Sequence, residues 1–383
     1  MIPYGRQDIS DADVAAVAHA LRDPFLTQGP TVAAFEEKLI EVTGARYAVA
    51  FSSGTAALHG AYAAAGVSPG SSVLTTPITF AATSNAALYL QGSVRFVDVD
   101  PEHVLLSPDL VEDVRDPDVK VLAPVHLAGH VAPMERLAQI ARGRGWLVVE
   151  DAAHALGARY RTRGGTEYAI GACGHSDMCC FSFHPVKLVT TGEGGAVTTN
   201  DPNLAAKLRR FRTHGITRDP LELRGDDGPW YYEQLELGFN YRITDFQCAL
   251  GLSQLARLRE FVERRRAIAA VYDAEFAAVR GTRVLSAPPA SRSSYHLYVL
   301  RVDAKVRRQV FENLKRAGIG VNVHYIPVYR HPYYRARGFE RFVLPNAERY
   351  YSEALTIPLF PALRDDEARA IAEEVRHQVA AAE

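Results

Sequence analysis

Short apolar runs alternate with segments of helical periodicity over residues 45–200, and this alternation constrains the fold more than any other feature of the sequence. The strand-like runs are YAVAF, SVLTT, VRFVDV, VKVLAPV, WLVVE and MCCFSF. The helix-like segments between them include residues 55–65, 81–90 and 134–142. Such an alternation predicts a mostly parallel sheet covered by helices. Ligands of sheets of this kind bind beyond the carboxyl ends of the strands.

The remainder of the chain predicts a second, smaller unit. Residues 243–275 have a helical pattern, and we expect one long helix there. After it, YHLYVLRV and GVNVHYIP are strand-like, and helices are expected near residues 306–317 and 365–380. We therefore expect an α/β protein with a large domain at residues 1–245, followed by a linker helix and a small C-terminal α/β domain at residues 246–383.

Composition and charge argue against several classes of protein. The formal net charge is −1, which provides no field to attract nucleic acid or an anionic membrane. The most apolar stretch, residues 45–67, is broken by arginine, serine, histidine and glycine and is not a membrane span. The N-terminal residues lack the basic and apolar segments of a signal peptide. The four cysteines have no zinc-binding spacing and suit a reducing compartment, so we expect a cytoplasmic protein that binds no metal.

Lys187 lies in the segment FSFHPVKLVTTGEGGAVTTND, which follows the strand-like residues MCC. The chain has six lysines, and the other five lie in charged segments typical of a surface. Apolar, glycine-rich surroundings desolvate an amine, which lowers its pKa and makes it a nucleophile or a base. The alternative is a lysine that extends from the edge of a loop into water.

Two further polar clusters follow predicted strands. SSGT, after YAVAF, places Gly54 and Thr55 at the start of a helix, where free N–H groups bind anions; an ordinary helix cap has the same pattern. EDAAH, at the end of WLVVE, contains Asp151, which either bonds a protonated ring nitrogen in a sheltered cleft or caps a helix that starts at residue 152. His154 is either part of the site or a hydrogen-bonded core histidine. A lysine, a carboxylate and an anion site are the groups that pyridoxal phosphate needs for its Schiff base, ring nitrogen and phosphate.

These three segments, with TTPITFAATSNA, PVHLAGHVAPM and GFNYRITDFQCALGLSQL, resemble the DegT-type sugar-nucleotide aminotransferases in order and spacing over essentially the whole chain. The resemblance implies the fold of type I pyridoxal-phosphate enzymes, with a large α/β domain, a small C-terminal domain and a homodimer that shares two active sites. It implies that Lys187 is catalytic and binds the cofactor covalently, while Asp151 pairs with the pyridine nitrogen. The other residues implied to bind the cofactor are Phe80, against the ring, and Gly54, Thr55 and Ser182, at the phosphate. Asn240 is implied to reach the phosphate across the dimer. His154 is implied to contact the ring hydroxyl, and many members have glutamine at this position.

Other segments narrow the resemblance to members that act in pseudaminic acid biosynthesis. They are IPYGRQDI, FLTQGP, EDAAHALGA, THGITRDP, PWYYEQLELGFNYRITD and GVNVHYIPVY. The implied substrates are L-glutamate and UDP-2-acetamido-2,6-dideoxy-β-L-arabino-hex-4-ulose, which is aminated at C4. The residues implied to face the sugar nucleotide are Tyr4, Phe25, Leu26, Thr27, His324 and Tyr325. For Tyr4 and Tyr325, ordinary aromatic packing is the alternative.

Rival functions share part of this pattern. An enzyme for the D-xylo 4-keto sugar, of the bacillosamine type, or for a 3-keto sugar would share every cofactor residue. Sugar dehydratases of the same family have histidine at the position of Lys187. A non-catalytic regulator that binds pyridoxal phosphate is expected to carry a helix-turn-helix segment or a basic patch, and neither is recognisable in this sequence.

Overall fold

The central element of the structure is a mixed β-sheet with helices on both faces, in a computed structural model that describes residues 1–382. The strands of the described chain are β1 (Tyr47–Phe51), β2 (Ser72–Thr75), β3 (Ser93–Phe96), β4 (Val119–Ala123), β5 (Leu147–Asp151), β6 (Arg159–Arg161), β7 (Glu167–Ala169), β8 (Met178–Ser182), β9 (Gly195–Thr199), β10 (Ile216–Thr217), β11 (Glu233–Gln234), β12 (Thr282–Val284), β13 (Ser291–Arg292), β14 (Tyr298–Val302) and β15 (Ala354–Ile357). The α-helices are α1 (Asp11–Ala20), α2 (Pro30–Thr43), α3 (Gly54–Ala64), α4 (Ala82–Tyr89), α5 (Pro108–Glu112), α6 (Met134–Arg144), α7 (Pro202–Arg212), α8 (Asp245–Ala256), α9 (Leu258–Phe276), α10 (Arg307–Arg316), α11 (Pro332–Tyr334), α12 (Pro345–Glu353) and α13 (Asp365–Ala382). Short 3₁₀ or π turns lie at Leu127–Gly129, Val328–Arg330 and Arg335–Phe339.

The strand order of the large sheet is β1-β9-β8-β5-β4-β2-β3. Strands β8, β5, β4, β2 and β3 run parallel to one another. Strand β9 runs antiparallel to both of its neighbours, β8 and β1. Because β8 and β1 are both antiparallel to β9, β1 points the same way as β8 and β5. The prediction of a mostly parallel, mixed sheet is confirmed.

Both faces of the sheet are buried along most of its strands, as expected for strands rich in apolar residues, whereas Ser93 and Arg95 of the edge strand β3 are exposed. Alternate side chains of β1 enter different cores because successive residues of a strand point to opposite faces. Ala48 packs in one core with Phe35 of α2 and Leu137 of α6. Val49 packs in the other core with Leu58 of α3, where helices α4 and α7 also contribute.

A separate apolar cluster lies in the C-terminal part of the chain. Strands β12, β14 and β15 form an antiparallel sheet that packs with α9, α10 and α13 around residues such as Leu300 and Val375. The N-terminal residues join this part, because Ile2 pairs with Ile319 and the carbonyl of Tyr4 accepts a hydrogen bond from Leu359 N–H at 3.0 Å. Helix α8 packs instead against α1 and α2. The domain boundary between residues 245 and 246 stays a prediction.

Two of the predicted elements are wrong. The single helix expected at residues 243–275 is two helices, α8 and α9, because Arg257 has φ −101° and ψ 4° and interrupts the helical geometry. The segment GVNVHYIP is not a strand, and Asn322 joins it to Thr356 of β15 through an isolated bridge. The side chain of Asn322 accepts a hydrogen bond from Val323 N–H at 2.8 Å, and such local bonds compete with a strand ladder.

Candidate active site

A cavity of about 680 Å³ lies at the carboxyl ends of β1, β5 and β8. Because these strands point in one direction, the residues that follow them meet at one edge of the sheet. The three polar clusters found in the sequence therefore lie together. The predicted site residues that line the cavity are Tyr4, Gly54, Thr55, Phe80, Asp151, His154, Ser182, Lys187, His324 and Tyr325.

The remaining predicted residues lie on the surface of the single chain. Phe25, Leu26 and Thr27 are exposed, and Thr27 forms an isolated bridge with Thr244. Asn240 is also exposed. Within residues 1–382 these four residues do not line the cavity, and their roles stay predictions.

Lys187 extends into the cavity from the loop between β8 and β9. The loop closes on itself, since Phe183 N–H donates to the carbonyl of Gly194 at 2.8 Å and Thr191 N–H donates to the carbonyl of Phe183 at 3.0 Å. Removal of the amine from bulk water lowers the pKa of Lys187 to about 8, although the negative charge of Asp151 acts in the opposite direction. A substantial fraction of the amine is therefore neutral near physiological pH.

Asp151 is the last residue of β5 and its carboxylate is buried. The Oδ2 atom accepts a hydrogen bond from the Thr83 hydroxyl at 2.6 Å, and Oδ1 accepts one from Ala153 N–H at 3.1 Å. Because a carboxylate only accepts, Thr83 must donate, and its oxygen can then accept from the Thr79 hydroxyl at 2.7 Å. Residues after Asp151 form turns rather than a helix, so the helix-cap interpretation of Asp151 is wrong.

The start of α3 combines both interpretations of SSGT. Ser53 is the N-cap, and its hydroxyl accepts a hydrogen bond from Ala56 N–H at 3.1 Å. The N–H groups of Gly54 and Thr55 belong to the first turn, where a helix offers no internal acceptor. A Cβ atom at Gly54 would lie 2.8 Å from the Cβ of Ser182, so glycine is required for this close approach. The free N–H groups and the Ser182 hydroxyl therefore form one wall suited to an anion.

His154 is a buried histidine and also part of the cavity wall. Its Nδ1 atom accepts a hydrogen bond from Ala128 N–H at 3.3 Å, and its Nε2 atom lies 3.0 Å from the hydroxyl oxygen of Tyr325. Burial lowers the pKa of His154 well below its usual value, and the nearby Lys187 and His324 lower it further. The ring is therefore neutral.

Aromatic residues also line the cavity. Burial, with a smaller effect of Lys187, lowers the pKa of His324 to about 3, and the Nδ1 atom of its ring lies 2.9 Å from the Thr356 hydroxyl. The ring of Tyr4 lies 5.3 Å from that of His324. Phe80 is 64% exposed, and its ring lies 6.3 Å from that of Tyr325. An exposed aromatic face inside a cavity is suited to stacking on a planar ring.

Several residues that the sequence did not single out also contribute. His184, Glu193, Asn322 and His331 line the cavity. Thr83 orients Asp151 from helix α4 and lies within TTPITFAATSNA, but nothing in that segment distinguishes Thr83 from its other hydroxyl residues.

The side chains in the cavity fit pyridoxal phosphate. Lys187 provides an amine of lowered pKa, Asp151 a buried carboxylate, and the start of α3 with Ser182 a place for a phosphate. Across residues 1–382, no group of three or more His, Cys, Asp or Glu side chains is arranged to hold a metal ion. In the same part of the chain, no helix has the length and apolar character needed to cross a membrane.

Known proteins resemble this chain over its whole length. The UDP-4-amino-4,6-dideoxy-N-acetyl-β-L-altrosamine transaminase of Campylobacter jejuni is 37% identical over 365 residues, which cover 94% of this chain and 92% of that protein. Helicobacter pylori PseC, an aminotransferase involved in the biosynthesis of pseudoaminic acid, matches with a TM-score of 0.91 and 29% identity over 99% of both chains. The PLP form of Spr1654 from Streptococcus pneumoniae matches with a TM-score of 0.91 and 29% identity, over 100% of this chain and 99% of that one.

The family model of the DegT/DnrJ/EryC1/StrS aminotransferases matches residues 7–376. Together with the solved structures, it confirms the fold class, the family and the cofactor predicted from the sequence. The chain belongs to the DegT/DnrJ/EryC1/StrS aminotransferase family and is a sugar aminotransferase that depends on pyridoxal phosphate.

Proposed function

We propose that the chain transfers the amino group of L-glutamate to C4 of UDP-2-acetamido-2,6-dideoxy-β-L-arabino-hex-4-ulose. The products are UDP-4-amino-4,6-dideoxy-N-acetyl-β-L-altrosamine and 2-oxoglutarate. The observation that carries the proposal of a transaminase is the convergence of Lys187, Asp151 and the start of α3 in one cavity. The choice of sugar is supported by the likeness to the Campylobacter jejuni transaminase and to Helicobacter pylori PseC.

On this proposal, the residues of the cavity hold the cofactor at three places. Lys187 binds it covalently, and Asp151 accepts a hydrogen bond from its protonated ring nitrogen. Gly54, Thr55 and Ser182 bind the phosphate, and Phe80 packs against the ring. When bound, pyridoxal phosphate supplies an electron sink for the carbon that loses a proton.

Lys187 also moves the proton in the proposed reaction. Once released from the cofactor, its Nζ atom takes the proton from Cα of glutamate, and in the second half it returns a proton to C4 of the sugar. A general base works best when its pKa is near the operating pH, and the pKa of about 8 meets this requirement. The glutamate-derived product leaves before the sugar enters, so ping-pong kinetics are expected.

The sugar nucleotide is proposed to contact residues of two chains. Tyr4, His324 and Tyr325 line the cavity of one chain. Phe25 and Leu26 are apolar yet 57% and 47% exposed, a pattern that favours coverage by another protein surface. A homodimer would cover them and would bring Thr27 and Asn240 of one chain towards the site of the other. The homodimer, the donor glutamate and the cytoplasmic location stay predictions.

The test is an absorption spectrum recorded in two steps. Glutamate is added to the yellow, cofactor-loaded protein until the band bleaches, and the UDP-4-keto sugars of L-arabino and D-xylo configuration are then added to separate samples. We expect the yellow band to return with the L-arabino sugar and not with the D-xylo sugar. A return with the D-xylo sugar alone would contradict the proposed substrate and leave the transaminase intact. A band that glutamate never bleaches would contradict the proposed donor.

A further inference from the structure

The carboxylate of Asp151 lies at the end of a chain of two threonine hydroxyls. Its Oδ2 atom lies 2.6 Å from the Oγ1 atom of Thr83, which lies 2.7 Å from the Oγ1 atom of Thr79. Asp151, Thr83 and Thr79 are 5%, 0% and 3% exposed. Because buried polar groups are almost always hydrogen-bonded, each hydroxyl proton needs an acceptor among these neighbours, and the direction of the chain can be deduced.

The Thr83 proton has two acceptors within reach, and the shorter contact decides between them. The carbonyl oxygen of Phe80 lies 3.3 Å from Oγ1, beyond the usual range of about 2.5–3.0 Å for a bond between two oxygens. The Asp151 contact of 2.6 Å falls in the range of about 2.5–2.7 Å that is typical of hydroxyl-to-carboxylate bonds, which are roughly twice as strong as neutral ones. Thr83 therefore donates to Asp151, and the proton between the two threonines belongs to Thr79.

The backbone of Thr83 is held from a second direction. Its carbonyl accepts a hydrogen bond from the hydroxyl of Tyr62 at 3.1 Å, and Tyr62 is fully buried. Tyr62 belongs to α3, whose first turn at Gly54 forms the wall suited to an anion, and α4 packs against α3. Thr83 therefore connects the carboxylate of Asp151 to the helix that carries the proposed phosphate site.

Thr83 acts on the cavity through Asp151. Asp151 and Thr79 line the cavity, whereas the side chain of Thr83 lies outside its lining. The Oδ1 atom of Asp151 also accepts a hydrogen bond from Ala153 N–H at 3.1 Å. A carboxylate can accept about four hydrogen bonds, so acceptor positions remain for a group in the cavity.

We propose that Thr83 is a positioning residue, whose hydroxyl aims the carboxylate of Asp151 at the ring nitrogen of bound pyridoxal phosphate, and that Thr79 orients this hydroxyl. The inference rests on the proposed function, in which Asp151 accepts a hydrogen bond from the protonated ring nitrogen. Without the hydroxyl, Oδ2 would face an apolar group, and a buried carboxylate oxygen without a donor is unfavourable. The carboxylate would then turn towards other donors and away from the ring nitrogen.

The test compares two ligands of the cofactor-free protein in a fluorescence titration. One is pyridoxal phosphate, and the other is its deaza analogue, in which a C–H group replaces the ring nitrogen. They share the aldehyde, the ring oxygen and the phosphate, so the ratio of their dissociation constants reports the contact of Asp151 with the ring nitrogen. We expect the wild-type protein to prefer pyridoxal phosphate by about tenfold or more. Thr83→Val should reduce this preference to about threefold or less, without changing the affinity for the analogue.

Three further variants separate positioning from packing. Thr83→Ser retains the hydroxyl and should retain the preference for pyridoxal phosphate. Thr75→Val is the matched control, because that buried hydroxyl donates to the carbonyl of Ala123 at 2.8 Å, away from the cavity lining, and the preference should not change. In Asp151→Ala, which removes the carboxylate, Thr83→Val should cause no further change in the preference.

An unchanged preference in Thr83→Val, or an equal loss of affinity for both ligands, would overturn the positioning role of Thr83. Thr83→Ala replaces this variant if it does not fold, with the same expected loss of preference. Thr79→Val should lower the preference by a smaller factor, and an unchanged value would overturn the role of Thr79. A wild-type protein that binds both ligands equally would overturn the proposed contact of Asp151 with the ring nitrogen, whereas a wild-type preference that survives in Thr83→Val would overturn this inference alone.

Discussion

The lowered pKa of Lys187 predicts how the cofactor-free protein captures pyridoxal phosphate at different pH values. The neutral amine is the reactive form, and its fraction depends on the pKa. With a pKa of about 8, about a quarter of the Lys187 amine is neutral at about pH 7.5; with the usual value of 10.5, about one part in a thousand would be neutral. Burial in the cavity therefore increases the reactive fraction by about two hundred-fold.

The assay is the rate at which the yellow band appears after mixing, measured by stopped flow from about pH 6 to about pH 10. Reduction with borohydride and mass spectrometry then identify the labelled lysine. We expect capture at Lys187, with a rate that rises through a midpoint near pH 8 and then levels off. Nα-acetyl-lysine, treated in the same way, provides the reaction of an unburied amine.

Asp151→Asn tests the second influence on the pKa of Lys187, which is the charge of Asp151. The negative charge of Asp151 raises the pKa of Lys187 and opposes burial. Its removal should therefore move the midpoint to lower pH, even if the variant holds the cofactor less firmly. A rate that still rises steeply at about pH 10 in the wild-type protein, as for acetyl-lysine, would refute the reasoning, and so would a midpoint that Asp151→Asn moves upwards.

Three further predictions follow from individual contacts. Lys187→Ala should retain cofactor binding through the other cavity residues but show no turnover in a coupled glutamate assay; near-wild-type turnover would contradict its role. Gly54→Ala places a Cβ 2.8 Å from Ser182 and should weaken cofactor affinity by about tenfold or more in a fluorescence titration. Gly143→Ala should not, because its Cβ would meet no described atom within 4 Å beyond its chain neighbours and the backbone of its own helix. Arg265→Met removes a buried guanidinium that donates to backbone carbonyls, so the free energy of unfolding in urea should fall by about 2–3 kcal/mol, and an unchanged value would count against this account.

The fold and the centre of the site were predictable because they depend on strong local signals. Buried parallel strands are continuous apolar runs, and each polar cluster of the cavity directly follows such a run, so Lys187 and Asp151 could be found from the sequence. The sequence does not reveal the reversed direction of β9, since GAVTT has the same composition in either orientation.

Other features depend on contacts between distant parts of the chain. Asp151 obtains its hydroxyl donor from Thr83, which is 68 positions away, and the partners of His154 are Ala128 and Tyr325. No spacing rule predicts such bonds. The segment that carries Tyr325 resembles a strand by its alternation, yet it serves as a wall of the cavity, where side-chain direction matters more than a ladder of hydrogen bonds.

The antiparallel pairing of β8 with β9 has a consequence for the length of the chain around Lys187. Parallel neighbours need a crossover, whereas this pair is joined by a direct hairpin, with Ser182 opposite Gly195 at its base. Both ends of the segment that carries Lys187 are thus anchored to adjacent strands. The number of residues between Ser182 and Lys187 therefore sets how far Lys187 can lie from the end of β8. One residue fewer would shorten the reach by about 3.5 Å, more than the length of a hydrogen bond, so a deletion in this hairpin would withdraw the Lys187 amine from its place in the cavity.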